Sequence, residues 1–282
     1  MRVATVQFNP KLGDIDKNIE KTLLFVKDAI KDKVNLCLFP ELSLTGYNLQ
    51  DLTFEVALKK NDERLIPLLE ASRKVGIIIG LMEEDENNLF YNSAFYFKDG
   101  KLLHVHRKVY LPTYGMFDEG RFVAAGEDVK TFKTEAGKGV TLICEDLWHF
   151  SNLYLAFLQG TKLIFSLSAS PGRGYKEENM FGNAEVWMNL GEFYSRMMGS
   201  YFFYSNRVGV EDGFVFSGRS FVVDPRGEII AVASNFEEEV LIVDVDETLI
   251  RSSRINLPLL RDEKPYVVLK NLRRILDERE AD

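Results

Sequence analysis

Val3-Ala4-Thr5-Val6-Gln7-Phe8, then Ile19, Leu23, Val26 and Ile30, then Val34-Asn35-Leu36-Cys37-Leu38-Phe39: this opening stretch decides the fold class. The first six residues read as a strand that Pro10 ends. Apolar residues then recur at three- and four-residue steps, the period of a helix with one buried face, behind a cap at Asp14 or Asp16. Val34 to Phe39 is a second short apolar run, stopped by Pro40. A helix through Leu65, Leu68, Leu69 and Ala71 and a buried strand from Gly76 to Leu81 repeat the unit. Strand–helix–strand repeated in this way marks a layered α/β fold.

Further along, Asn92 to Phe97 and Lys101 to His106 flank Asp99-Gly100, a hairpin signal. Gly139 to Cys144 and Lys162 to Ser166 read as buried strands, and Asn183 to Met198 as a helix. Ser200 to Asn206, Arg219 to Val223, Glu228 to Ala233 and Glu239 to Val243 read as strands, with a turn at Asp224-Pro225-Arg226-Gly227. Hairpins beside α/β units predict mixed sheets rather than one parallel sheet. No linker or repeat divides the chain. Residues 1–265 read as one domain. The charged stretch from Arg251 leads into a tail, 266–282, able to form a short surface helix or an arm on a neighbouring subunit.

Hydrophobic residues make up 46% of the 282, ample for a buried core. The formal net charge of −8 argues against nucleic acid and anionic membrane as partners. The most apolar short stretch, Val75 to Met82, is too short to span a bilayer, and the N-terminus has no signal-peptide pattern. Two cysteines exclude a disulfide framework and point to a reducing cytoplasm.

Three residues stand at strand ends with chemistry to offer. Cys144 closes the apolar run Val140-Thr141-Leu142-Ile143, and polar residues follow it. Ligands bind beyond the carboxyl ends of strands in open α/β sheets. Cys37, between Leu36 and Leu38, reads instead as inert core. Glu41 follows Phe39-Pro40 in apolar surroundings, where desolvation makes a carboxylate a better proton acceptor. Lys108 precedes a long loop through Tyr114, Asp118 and Glu119 to Arg121, and loops of that size tend to be functional.

Phe39-Pro40-Glu41-Leu42, Arg107-Lys108 with Asp118-Glu119-Gly120-Arg121, and Leu142-Ile143-Cys144-Glu145-Asp146 resemble, in order, the three signature blocks of the nitrilase superfamily. Ser205-Asn206-Arg207-Val208-Gly209 and Phe216-Ser217-Gly218-Arg219-Ser220 resemble later family segments. The resemblance implies a four-layer αββα sandwich with two mixed sheets, a homodimer or higher homo-oligomer, and no metal or organic cofactor. It implies Cys144 as nucleophile, Glu41 as base, Lys108 with the Glu145 N–H as oxyanion donors, and Glu119 orienting Lys108 or the substrate. Tyr114, Glu145, Ser168 and Ser170 are the expected substrate contacts. The reaction implied is hydrolysis of a small linear amide through a cysteine thioester.

Phe39 to Tyr47 and Cys144 to Trp148 are most similar to the glutaminase domain of glutamine-dependent NAD synthetases. Val208-Gly209-Val210-Glu211-Asp212-Gly213 departs from the Gly-Gln-Asp of that branch, and no Ser-Gly-Gly phosphate loop follows. Nitriles, N-carbamoyl compounds and glutamine stand as alternative substrates. A rival Cys–His hydrolase would use His149, His104 or His106, the latter two also readable as exposed strand residues or as two ligands of a zinc site. A binding-only relative of the superfamily is the rival from outside enzymes.

Overall fold

In the computed structural model, which describes residues 1–115, 117–176 and 180–281, the chain begins with β1 (Arg2–Gln7) and α1 (Ile15–Lys31). Of the two candidate caps, Asp14 starts the helix, its side chain accepting from the Lys17 N–H at 3.4 Å. β2 (Leu36–Leu38) is short because Phe39-Pro40 turns the chain out of the sheet. Two small helices, α2 (Thr53–Val56) and α3 (Ile66–Ala71), lead to β3 (Gly76–Glu84). β3 runs past Leu81 because Glu83 is fully buried with partners: Arg107 donates to it at 3.0 and 2.7 Å, and Ser93 at 2.6 Å. β4 (Phe90–Lys98) and β5 (Lys101–Arg107) form the expected hairpin. Asp99 and Gly100 both take positive φ, 54° and 73°, as its two-residue turn requires.

The second half contains β6 (Thr131–Thr134), β7 (Gly137–Ile143), α4 (Phe150–Leu158) and β8 (Leu163–Ser168). A minimal hairpin, β9 (Tyr175–Lys176) and β10 (Met180–Phe181), precedes α5 (Gly182–Met198). Then come β11 (Tyr201–Asn206), a hairpin of β12 (Val208–Glu211) and β13 (Phe214–Ser217), β14 (Phe221–Val223), β15 (Ile229–Val232) and β16 (Glu239–Asp244). The stretch read as a charged tail is helical: α6 (Glu247–Asn256), α7 (Leu259–Asp262) and α8 (Pro265–Ala281). Asp246 caps α6 through the Thr248 N–H at 2.8 Å, and Ile250 is buried.

Among the described residues the strands form two six-stranded mixed sheets, β16-β1-β2-β3-β4-β5 and β15-β14-β11-β8-β7-β6, beside two small hairpins. β1, β2 and β3 run parallel, as do β7, β8 and β11. Alternation along each strand divides the side chains between layers. Leu36, Leu38, Ile78, Phe165 and Phe203 fill the space between the sheets. Cys37, Ile77 and Ile79 point the other way, towards α1 and α3. Val140, Ile164 and Phe202 pack with Trp187 and Tyr194 of α5. The inner strands are apolar on both faces because each sheet is covered on both, and the architecture is the expected αββα sandwich. Burial of each such side chain contributes about 1.5–3 kcal/mol. No helix among the described residues is long and apolar enough to cross a membrane.

Candidate active site

Glu41 stands just beyond β2, on a turn that crosses β3 at close range. A Cβ on Gly80 would lie 2.4 Å from the Leu42 nitrogen and 2.6 Å from the Pro40 oxygen, so only glycine admits the turn. Leu42 takes a positive φ of 51° there. The Glu41 carboxylate is fully buried and satisfied. Oε1 accepts from Asn92 Nδ2 and from Lys108 Nζ, each at 2.8 Å, and Oε2 from the Ala169 N–H at 2.8 Å. Lys108, just past β5, is also fully buried, and its backbone N–H donates to the Asn92 carbonyl at 2.9 Å. Its ammonium reaches Glu119 Oε1 at 2.8 Å and Oε2 at 2.9 Å. Tyr47 donates its hydroxyl to Glu119 Oε1 at 2.6 Å.

Burial lowers the Lys108 pKa, but the charges of Glu119 and Glu41 more than reverse this, and the ammonium stays protonated well above the ordinary lysine range. Burial pushes Glu119 up, against the pull of Lys108. Cys144 ends β7 and opens a 3-10 turn, Cys144–Trp148, with a positive φ of 44°. A non-glycine residue in that region is strained by about 1–3 kcal/mol, a cost often found at functional sites. Burial raises the thiol pKa and the Glu41 charge raises it further, while Lys108 and the Ser168 hydroxyl pull it down. The thiol therefore shares one electrostatic neighbourhood with Glu41, Lys108 and Glu119.

Around this centre, Tyr114 donates to Glu145 Oε2 at 2.9 Å. His149 lies 3.9 Å from Glu145 Oε1 and stacks on Tyr110 at 3.5 Å. Ser168 is the last residue of β8, Ser170 stands two places beyond it, and both are buried. Ser170 Oγ accepts from Trp187 Nε1 at 3.0 Å and Asn183 Nδ2 at 3.1 Å, so it is already held, whereas Ser168 Oγ has no nitrogen or oxygen partner. A cavity of about 270 Å³ opens on the Glu119 side, lined by Tyr47, Asn92, Phe117 and Glu119 among others. Met116, in the loop read as functional, lies outside the described residues.

The reading of His104 and His106 as exposed strand residues is corrected here. His106 is 2% exposed and its Nε2 lies 2.8 Å from Asp146 Oδ2. His104 is half-buried against Phe132, ring centroids 5.0 Å apart. His106 is paired with Asp146, His149 stacks on Tyr110 beside Glu145, and His104 packs on Phe132, an arrangement that gives a Cys–His pair no support. No group of three or more His, Cys, Asp or Glu among the described residues could hold a metal ion. The sequence reading passed over Asn92, Tyr47 and Asp146. Asn92 sits mid-strand in an apolar run, and nothing in that pattern shows that it faces Glu41.

The carbon-nitrogen hydrolase family model matches residues 2–255. The glutamine-dependent NAD(+) synthetase of Thermotoga maritima is 36% identical over 251 residues, 87% of this chain and 42% of that protein. A nitrilase of Pyrococcus abyssi is 28% identical over 261 residues, 91% of this chain and 94% of that one. Among solved structures, a carbon-nitrogen hydrolase from Helicobacter pylori superposes with a TM-score of 0.87 at 26% identity, covering 96% of this chain and 98% of its own. The glutamine-dependent NAD+ synthetase of Acinetobacter baumannii gives 0.78 at 30% identity, covering 88% of this chain and 46% of its own. The chain thus spans less than half the length of these two synthetases. With its sandwich and the family model matched over residues 2–255, the chain belongs to the carbon-nitrogen hydrolase family.

Proposed function

We propose that the protein hydrolyses a small linear amide, releasing ammonia through a thioester on Cys144. The observation that carries this is the Lys108 ammonium fixed between Glu41 and Glu119, in the same electrostatic neighbourhood as a cysteine held at positive φ. Glu41 takes the thiol proton as sulfur attacks the carbonyl carbon. The C–S bond forms, the carbonyl π pair moves to oxygen, and the oxyanion takes hydrogen bonds from Lys108 and the Glu145 N–H. Lys108 directs two contacts at one carboxylate, so one N–H can turn to the oxyanion while Glu119 keeps the other. Glu41 then gives its proton to nitrogen, the C–N bond breaks and ammonia leaves. Water, deprotonated by Glu41, attacks the thioester, the acid departs and the thiol is restored. Tyr114, Glu145, Ser168 and Ser170 border the acyl group. The unpaired cysteines, Cys37 and Cys144, suit a reducing cytoplasm.

A second reading, a glutaminase, is favoured by Glu145. Its carboxylate, beside the nucleophile and held by Tyr114, suits a substrate with a free amino group. The T. maritima and Acinetobacter baylyi relatives are named glutamine-dependent.

The test is ammonia release from matched amides, nitriles and N-carbamoyl compounds, glutamine included, with mass spectrometry after acid quench. Ammonia from an amide and an acyl adduct on Cys144 are expected. No adduct and no ammonia across a broad panel means a binding-only protein. Faster release from the nitrile at several chain lengths sinks the amide assignment and leaves the thioester chemistry standing.

A further inference from the structure

We infer that Asp146 is a positioning residue that sets Lys108 in register with Cys144, and that His106 is its partner. This role rests on the hydrolase reading above and adds a residue to that site. Asp146 lies two places beyond the nucleophile and is fully buried. Its carboxylate meets four donors. Oδ1 accepts from the Val109 N–H at 2.9 Å and the Tyr110 N–H at 3.0 Å. Oδ2 accepts from the Ile143 N–H at 3.0 Å and lies 2.8 Å from His106 Nε2, which donates in the tautomer with hydrogen on that nitrogen.

The positions of those donors give the set its meaning. His106 comes two residues before Lys108, and Val109 and Tyr110 directly after it. Ile143 comes directly before Cys144. One side chain therefore grips the lysine segment from both sides and the cysteine segment from its strand side. The two segments leave different sheets, β5 at the edge of one and β7 in the other, with no ladder between them. Backbone pairing cannot fix their relative height, so a side chain must. The bond to Ile143 also closes the turn that holds Cys144 at positive φ. A buried carboxylate is tolerated only when its hydrogen-bonding capacity is met, so the four donors hold Asp146 and Asp146 holds them. Catalysis is sensitive to such registration: a displacement of about 1 Å can cost about 100-fold in rate.

The experiment compares full-length wild type with D146N, H106Q and H106L. The carboxamide of D146N keeps an oxygen for Val109 and Tyr110 but turns an N–H₂ towards the Ile143 N–H. For D146N, kcat for the best amide is expected to fall about 100-fold with KM little changed. Alkylation of Cys144 by iodoacetamide is expected to slow on the order of tenfold. Thermal melts confirm that the protein is folded at the assay temperature. A purely structural role would lower the melting temperature and leave kcat and alkylation per folded molecule unchanged, and that result overturns the proposal. Should D146N fail to fold, the histidine pair decides. The glutamine side chain in H106Q can still donate to Asp146, whereas the leucine side chain in H106L cannot. H106Q should therefore keep roughly tenfold more of kcat than H106L. Equal rates for the two overturn the partnership. The two readings fail separately. A wild type inert to every amide, with alkylation still slowed in D146N, removes the hydrolase reading and supports the positioning role. An active wild type with an unaffected D146N removes only the positioning role.

Discussion

Lys108 shows how a buried charge is stabilised where a surface charge is merely solvated. Taking an ammonium out of water costs several kcal/mol, and only close carboxylates offset it. Glu41 and Glu119 do so at 2.8 Å each. Lys108→Met would leave two carboxylates buried without their cation. The expected result is loss of turnover together with about 3–5 kcal/mol of stability, read by chemical denaturation. Wild-type stability in that variant would mean that the carboxylates do not depend on the lysine. The two cysteines separate function from packing. Cys37 is 0% exposed, faces the helical layer, and burial pushes its thiol up to about 12. Cys37→Ala should keep turnover and lose about 1 kcal/mol as a small cavity opens, while Cys144→Ala should abolish turnover. Rapid alkylation of Cys37 in the native protein would contradict this assignment.

At the scale of elements, strand ends were legible and strand faces were less so. β2, β5 and β7 each end at or just before Glu41, Lys108 and Cys144, and Pro40, the long loop after Lys108 and the acidic pair after Cys144 make those ends visible in one dimension. What lies across from a strand face is not. Period-two alternation puts His104 and His106 on one face of β5, yet their surroundings differ. His106 meets Asp146, while His104 packs on Phe132 with Nε2 unpartnered. The extent of β3 escaped for a related reason: a partner far along the chain, Arg107 for Glu83, makes a charged residue acceptable there. His104 carries a pH prediction. Burial, with the nearby His106 and Lys130, lowers its pKa from 6.5 to about 4. A depressed pKa in the folded state gives stability that is present above 6.5 and is lost as pH falls through about 4. His104→Phe, which keeps the ring against Phe132, should therefore shrink the drop in melting temperature between pH 7 and about pH 4. An unchanged drop would assign the acid sensitivity to other groups.

At the scale of the whole molecule, the outer layer over the second sheet is finished on one side only. α5 buries Trp187, Tyr194 and Met198 against that sheet, but leaves Val186, Phe193 and Met197 at 41%, 54% and 40% exposure. Those three recur at seven- and four-residue steps, so they form one stripe. Phe150 and Leu155 of α4, the neighbouring helix of that layer, are 72% and 47% exposed. Large apolar side chains exposed in a stripe on one helix are a common mark of a protein–protein contact. A two-fold pairing of like faces buries it with one self-complementary surface, the commonest solution for soluble oligomers. We therefore expect a homodimer through α4 and α5, giving twice the single-chain mass by light scattering after size exclusion at micromolar concentration. Phe193→Asp and Met197→Asp place charge on the exposed stripe without touching the buried Trp187 or Tyr194. The double variant should run as a monomer with its fold intact by circular dichroism. A monomeric wild type, or a dimer indifferent to both charges, would move the contact elsewhere. The next apolar surface to test would then be α8, whose Leu269, Leu272 and Leu276 are each about half exposed.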